Sequence, residues 1–474
     1  MNHKALEKSS FKLGKLLTYF FIACITVITA MLLYLSFFKP LEQDEGVFLT
    51  IANGIVEGKS PYQDYFDHKP PGIYFLLASA VYLSENTALM AKGILFFFNF
   101  ISSFLIFKIA NEYKKGSGFL ASVLFLFSAT FFETNHIIAE PFMVTFLLLA
   151  FLLMLEWTNK NERKYLVGSG LMVGLAVLFK QTAIVNLFIF IPFIYFAKKK
   201  ISDLGYFIFG TIIVCFPFLI YLLSKKVVQE AINQIITVNF TSYPKENMSM
   251  VFNNLAPPFK KTLPIWILFL AFVFSKGKNI DQKKLLLIIS ALAPMPFLLV
   301  RHYPHYWLQI MPFIAIAAAI SLDSLIGFKS SKTWLNLFRV AVLSIIALSF
   351  FTNFKWFYWM AKNVDQPKLK AEKEAAKMLK ELPQKNILAE NQFTGFYLLS
   401  EKEALTKYLY ITEVNEKEAA EEKTIEILKN NKDTIIVWPK DLKYTYAKKL
   451  QNYIIQHYQP KKEFSQLGMI IYQN

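Results

Sequence analysis

Cysteine is nearly missing from this chain. Cys24 and Cys215 are the two in 474 residues, and both fall inside apolar runs. That excludes a disulfide framework and a cysteine-based metal site. A thiol nucleophile buried in lipid is excluded on the same ground. Charge is also scarce: Asp, Glu, Lys and Arg together make up 18% of the residues. What fills the space is apolar, with 55% hydrophobic residues and 48 Phe. The length would allow about three soluble domains, but most of a chain this apolar is not an ordinary soluble fold. Apolar runs of about 20 residues, the length a bilayer-spanning helix needs, recur until about residue 354. The sequence therefore predicts a polytopic α-helical membrane protein.

The net charge is +17, from 51 Lys and Arg against 34 Asp and Glu. A basic chain raises the question of nucleic acid. Here the basic residues cluster in short segments between apolar runs, as they do in loops held on the cytoplasmic side. No nucleic-acid partner is expected. The N-terminus carries Lys4, Lys8, Lys12 and Lys15 ahead of an apolar run from about Leu16 to Phe38. That run is too long for a cleaved signal peptide and reads as a retained first span with its N-terminus inside. Ten further spans are expected near 89–110, 118–133, 141–157, 165–180, 182–197, 204–223, 262–275, 284–300, 307–326 and 334–354. With about 11 spans, Lys114-Lys115, Lys160/Arg163/Lys164, Lys198-Lys199-Lys200, Lys276/Lys278/Lys283/Lys284 and Lys329/Lys332 all fall inside. That is the positive-inside pattern, and it puts the C-terminal part outside the cytoplasmic (inner) membrane.

The fourteen apolar residues at 71–84 are short for a crossing. They suit an interfacial or re-entrant helix, so residues 39–88 read as one long outside loop with two membrane-surface helices, near 44–57 and 70–84. In the first, Phe48, Ile51, Ala52 and Ile55 share one helical face. The membrane domain is expected to occupy 1–361. From about Lys362 the composition turns Lys- and Glu-rich, and helix-like stretches (Ala371–Leu382, Glu413–Asn430, Thr445–His457) alternate with strand-like ones (Asn386–Ala389, Thr434–Trp438, Met469–Tyr472). A small α/β extracytoplasmic domain over 362–474 is expected. It shows no glycine-rich phosphate loop, no metal-ligand spacing and no residue that suggests chemistry.

Unusual polar residues gather on the outside face. Asp44-Glu45 follows the first span, and the segment 61–71 reads Pro-Tyr-Gln-Asp-Tyr-Phe-Asp-His-Lys-Pro-Pro. Glu140-Pro141 comes after Glu133 and His136, Lys180 ends a span, and Arg301-His302-Tyr303-Pro304-His305-Tyr306 precedes another. Each has an ordinary reading too. Asp44, Glu45 and Glu140 are placed to complement helix dipoles, and Lys180 to snorkel toward headgroups. His136, His302 and His305 match no recognised metal-ligand spacing. Taken together, several polar residues converging beside hydrocarbon suggest a site. Lysine and arginine stabilise a phosphate leaving group, and a carboxylate deprotonates an acceptor hydroxyl. Outside the cytoplasm there is no nucleotide-sugar pool, so a transferase there uses a polyprenyl-phosphate sugar.

The ordered set Asp44-Glu45-Gly46, Gly58-Lys59-Ser60-Pro61-Tyr62, Asp67-His68-Lys69-Pro70-Pro71 and Ala139-Glu140-Pro141 resembles glycosyltransferase family 39. That family comprises the protein O-mannosyltransferases and, among its bacterial relatives, the aminoarabinose transferases, with the type C glycosyltransferase fold. The similarity extends through Gly170–Ala176 with Lys180 and through Arg301 to Pro312. The resemblance implies an inverting transfer from a polyprenyl-phosphate sugar. Asp44, with Glu45 beside it, and Glu140 match the family's acidic residues. Lys69, Lys180 and Arg301 match its donor-phosphate contacts. His68 falls within the matching motif as a substrate contact, and His305 and Tyr306 match phosphate or acceptor contacts. Glu140 is expected to position the acceptor, or a divalent metal ion if one is used. The loop at 224–261 is too short for the large β-trefoil insert that some protein mannosyltransferases bear, so among envelope acceptors (glycolipid, surface glycan or protein) a bacterial glycolipid or cell-surface glycan is more natural than a eukaryotic-type protein. The rival reading is a transporter or lipid flippase, though no internal repeat is present and the notable charges lie at one face.

Overall fold

The computed structural model describes residues 39–474 except 199, 242–247, 276–280, 299–302, 328–330, 363–365, 413, 415–416 and 442–446, together with scattered residues between 20 and 34. The first expected span lies largely outside the described residues, as do Arg301 and His302. Every other expected span falls on helix. The membrane region contains α1 (Gln43–Val56), α2 (Gly72–Leu83), α3 (Thr87–Tyr113), α4 (Gly118–Ala129), α5 (Ala139–Lys160), α6 (Arg163–Phe179), α7 (Val185–Lys198), α8 (Ile201–Lys225), α9 (Met248–Phe274), α10 (Gln282–Leu292), α11 (Met311–Gly327) and α12 (Thr333–Lys362). Among the described residues, four of these, α3, α5, α8 and α9, are long and apolar enough to cross a membrane alone. The other apolar helices are shorter or run in segments, because breaks such as the 3₁₀ turn Thr130–Phe132 and the turn after Leu292 interrupt apolar runs that hydropathy reads as continuous.

The helices differ in how much protein surrounds them. α5 is central: Phe142, Met143, Leu147, Leu148, Phe151 and Met154 are all fully buried. α8 is peripheral and leaves Phe209, Ile212 and Phe216 exposed, a face suited to lipid. Lipid offers no hydrophobic force to press helices together, so small residues and polar links do that work. Ser102 and Thr145 hydroxyls meet at 2.7 Å, Ser122 Oγ donates to Ser103 O at 2.7 Å, and Ser169 Oγ donates to Ala150 O at 2.9 Å. Where α6 crosses α8, a Cβ on Gly170 would stand 1.9 Å from Phe207 O, and one on Gly210 would stand 2.0 Å from Val167 O. Only glycine permits that approach. The crossing fixes α6, and hence Lys180 at its end.

Beyond α12 the chain forms a five-stranded sheet, in order β2-β1-β3-β5-β4, from β1 (Asn386–Ala389), β2 (Glu403–Ala404), β3 (Thr434–Pro439), β4 (Gln459–Phe464) and β5 (Met469–Gln473). β2, β1 and β3 run parallel, while β5 is antiparallel to both β3 and β4. Helices α13 (Gln366–Glu381), α14 (Lys417–Asn430) and α15 (Lys448–His457) accompany the sheet. The three strands legible in the sequence are the ones with buried apolar side chains. β4 is an edge strand reading Gln-Pro-Lys-Lys-Glu-Phe, exposed except for Phe464 and irregular between Pro460 and Lys462. No hydrophobic alternation marks such a strand, which exists because β5 pairs with it.

The C-terminal region is docked onto the segment after the first span. Leu41 N donates to Glu372 Oε1 at 3.0 Å, Thr394 Oγ1 donates to Gln43 O at 2.7 Å, and Phe66 N donates to Lys407 O at 2.8 Å. A Cβ on Gly46 would lie 2.3 Å from Gly395 N, so α1 meets the short helix Gly395–Leu399 backbone to backbone. This corrects the expectation of a membrane-surface helix at 44–57. The α1 face carrying Phe48, Ile51 and Ala52 is fully buried in protein. An amphipathic face satisfies either solvent, and here α2 and the C-terminal region provide the apolar surroundings.

Candidate functional site

Helix polarity brings the site together. α5 begins at Ala139 and its antiparallel neighbour α6 ends at Phe179, so Glu140 in the first turn of one faces Lys180 just past the end of the other. Both are buried, and they form a direct ion pair. A lysine and a carboxylate each cost several kcal/mol to bury alone, and pairing offsets most of that. The Lys180 ammonium also lies 3.5 Å from the centre of the Tyr306 ring, a cation–π contact. His305, in the 3₁₀ turn Pro304–Gln309 before α11, places Nε2 3.7 Å from Glu140 Oε1 and Nδ1 2.6 Å from Glu133 Oε2. Glu133 sits in the left-handed region, with φ 64°, between α4 and α5.

The second part is the segment 66–69, which carries no regular structure. Lys69 precedes two prolines, which disfavour the helical region for its backbone. Its ammonium reaches Asp44 Oδ2 at 3.4 Å and lies 4.7 Å from the centre of the Phe48 ring. Asp44 belongs to the first turn of α1, and its side chain is 37% exposed while that of Lys69 is 10% exposed. Lys69 is close enough to act electrostatically on Glu140, and Lys69 and Asp44 both act on Lys180. The two ion pairs therefore belong to one site.

Asp67 and His68 sit behind Lys69. The Asp67 carboxylate accepts from Tyr74 Oη at 2.7 Å, from His68 N at 2.7 Å and from Tyr410 Oη at 3.1 Å. Burial opposes its charge, but the Lys69 charge, His68 and Tyr74 outweigh burial and hold the carboxyl well below the usual range. For His68, burial and the Lys69 charge together push the imidazole below its ordinary value, against the pull of Asp67. The backbone is held as well. Asp67 N donates to Gln234 Oε1 at 3.1 Å, Asn239 Nδ2 donates to His68 O at 2.9 Å, and Tyr62 Oη donates to Lys69 O at 3.0 Å.

The expected site residues thus separate. Asp44, Lys69, Glu140, Lys180, His305 and Tyr306 converge, and His68 stands behind Lys69. Glu45 does not join them as an acid or base. Its Oε1 accepts from Ile137 N at 2.9 Å and its Oε2 from Glu42 N at 3.1 Å, so this buried carboxylate caps α1 and ties it to the start of α5. The C-terminal region, expected to carry no chemistry, sends Tyr410 into the Asp67–His68 pair. No sequence signal marks Tyr410, Gln234 or Asn239, which lie about 170 to 340 residues from the segment they hold. A divalent ion finds no ready site: among the described residues no group of three His, Cys, Asp or Glu is arranged to hold a metal, and Glu140 already has Lys180 as its counter-ion.

Comparison with known proteins bears out the resemblance. The family model for dolichyl-phosphate-mannose-protein mannosyltransferases matches residues 68–223, a stretch that includes Lys69, Glu140 and Lys180. The fold is that of membrane glycosyltransferases. The apo structure of ArnT from Cupriavidus metallidurans superposes with a TM-score of 0.69 at 13% identity, covering 97% of this chain and 98% of that one. The same protein bound to undecaprenyl phosphate gives 0.69 at 12% identity over 96% of this chain and 97% of that one. The Archaeoglobus fulgidus oligosaccharyltransferase, tethered to an acceptor peptide, gives 0.59 at 13% identity, covering 96% of this chain and 74% of that one. No curated protein matches the sequence.

Proposed function

We propose that this chain is an inverting glycosyltransferase of the cytoplasmic membrane that moves a sugar from a polyprenyl-phosphate donor to a cell-envelope acceptor on the outer face. The observation that carries the reading is the juxtaposition of a partly exposed carboxylate, Asp44, with Lys69 at 3.4 Å and the buried Lys180 beyond it. One base and two cations are what displacement of a phosphate by a hydroxyl requires. The acceptor oxygen bonds to the anomeric carbon from the face opposite the phosphate, and its proton passes to Asp44. The bond from the anomeric carbon to the phosphate oxygen breaks, with the electron pair remaining on the phosphate. Lys69 and Lys180 neutralise that charge, and Arg301 is assigned to the same task by its place in the sequence motif.

Glu140 holds Lys180 in place by direct contact, and His305 links Glu140 to Glu133. Tyr306 confines the Lys180 ammonium. Lipid-exposed apolar helices such as α8 suit a donor with a long hydrocarbon tail. The matched ArnT binds undecaprenyl phosphate, which supports the same class of donor here. A glycolipid or surface glycan is the acceptor we favour.

The test uses purified wild type and Asp44→Asn with a panel of radiolabelled polyprenyl-phosphate sugars and crude envelope lipid. Wild type should release polyprenyl phosphate, and the variant should lose about 10² to 10⁴ in rate, the range for loss of a general base. Donor binding should survive in the variant. Full activity in Asp44→Asn would sink the assignment of the base. No turnover with any donor, together with lipid or solute movement across a reconstituted bilayer, would sink the transferase reading.

A further inference from the structure

Tyr410 carries hydrogen bonds from the C-terminal region to the segment that presents Lys69. Its hydroxyl lies 3.0 Å from His68 Nδ1 and 3.1 Å from Asp67 Oδ1. An ionised carboxylate only accepts, so the single Tyr410 proton goes to Asp67, and His68 Nδ1–H is shared between the Tyr410 oxygen and Asp67 Oδ1, which lies 3.2 Å away. That arrangement fixes the ring of His68 in one tautomer and orients the peptide leading into Lys69. Around it, Phe66 packs against Tyr408 and Tyr410 with ring centres 5.9 and 6.4 Å apart, and Phe66 N is tied to Lys407 O. Tyr74 bonds the other oxygen of Asp67 at 2.7 Å, so the carboxylate is held between the membrane region and the C-terminal region.

We infer that Tyr410 is a positioning residue through which the docked C-terminal region sets the Asp67–His68–Lys69 segment, and with it the lysine that meets the donor phosphate. The inference rests on the proposed role of Lys69 and extends it. It makes the C-terminal region part of the donor site, although no residue of that region needs to touch the donor. Tyr410 acts through Lys69, so its effect should depend on Lys69 being present.

The experiment titrates full-length protein in detergent with undecaprenyl phosphate, recording both Kd and the fraction of protein that binds. Tyr410→Phe should raise Kd about 5- to 20-fold, below the roughly 10- to 150-fold that losing a direct hydrogen bond to a charged group costs, because Tyr410 acts through Lys69. The binding-competent fraction should be preserved. A fold defect would instead lower that fraction and leave Kd alone. Asp67→Asn, which keeps the shape and removes the charge, should shift Kd in the same direction. In a Lys69→Ala background, Tyr410→Phe should have no further effect. A Kd for Tyr410→Phe within twofold of wild type, or an equal shift in both backgrounds, would overturn the inference while leaving the donor reading intact. Failure of wild type itself to bind undecaprenyl phosphate would overturn both.

Discussion

Replacing Lys180 by Met keeps the length of the side chain and removes its charge, which strands Glu140 in the protein interior. The Glu140 side chain is 1% exposed and that of Lys180 is 5% exposed, so water cannot take the place of the lost ammonium. Breaking a buried pair by removing one partner typically costs about 3–5 kcal/mol, because an uncompensated charge remains. His305 Nε2, at 3.7 Å, leaves Glu140 a second polar neighbour, which places the expected loss toward the lower end of that range. Lys180→Met/Glu140→Gln removes both charges and should recover at least half of the loss. The measurement is thermal unfolding of wild type, both single variants and the double variant in one detergent, read as a double-mutant cycle. Additive losses would refute the reasoning, since they would mean that the two side chains do not stabilise each other. The donor site should behave differently. Lys180→Met and the double variant should both bind undecaprenyl phosphate poorly, because restoring neutrality does not restore the cation.

Two further predictions concern the scaffold. Burial raises the Glu372 carboxyl to about 7, against the Leu41 N–H and Lys92, so the folded state holds this proton more tightly than the unfolded chain does. Its contribution is then fully present below about pH 4.5 and lost as pH rises through about 7, at most about 3 kcal/mol. Wild type should therefore lose thermal stability between pH 5 and 8, and Glu372→Gln should lose less; equal slopes would contradict this. Glu390, also raised to about 7 by burial, keeps part of the slope in that variant. At the α6–α8 crossing, Gly170→Leu would drive a side chain into Phe207 O and should abolish monodisperse protein in size-exclusion chromatography. A normal elution profile would show that the helices can separate.

The parts of the fold that came through in the sequence are those with a local cause. Spans were legible because apolar runs of helical length have few other solutions, and α3, α5 and α8 fall where the runs were read. The buried strands β1 and β3 were legible for a similar reason. β4 was not, since a polar edge strand is defined by its partner. In the site, Asp44, Lys69, Glu140 and Lys180 stood out because charges beside hydrocarbon need an explanation. Glu45 looked equivalent to Asp44, as adjacent acids on one helix turn must in a sequence. Their separate tasks follow from side-chain direction about 100° apart on a helix, which turns Glu45 toward Ile137 N and Asp44 toward Lys69.

By itself the sequence determined a chain of apolar helices followed by a polar α/β region, with an ordered set of charged residues close to the helix ends. These follow from composition and spacing, which act over one or two helical turns. Tertiary structure alone decided which charges meet. Lys180 pairs with Glu140 because antiparallel helices bring an end beside a beginning, and Gly170 and Gly210 let α6 close on α8. Tertiary structure also decided that the C-terminal region joins the site. Tyr410 reaches Asp67 and His68 through the docking of Glu372 on Leu41 N and of Thr394 on Gln43 O. No local pattern encodes a contact across more than 300 residues, because its energy comes from surfaces that exist only once both parts have folded.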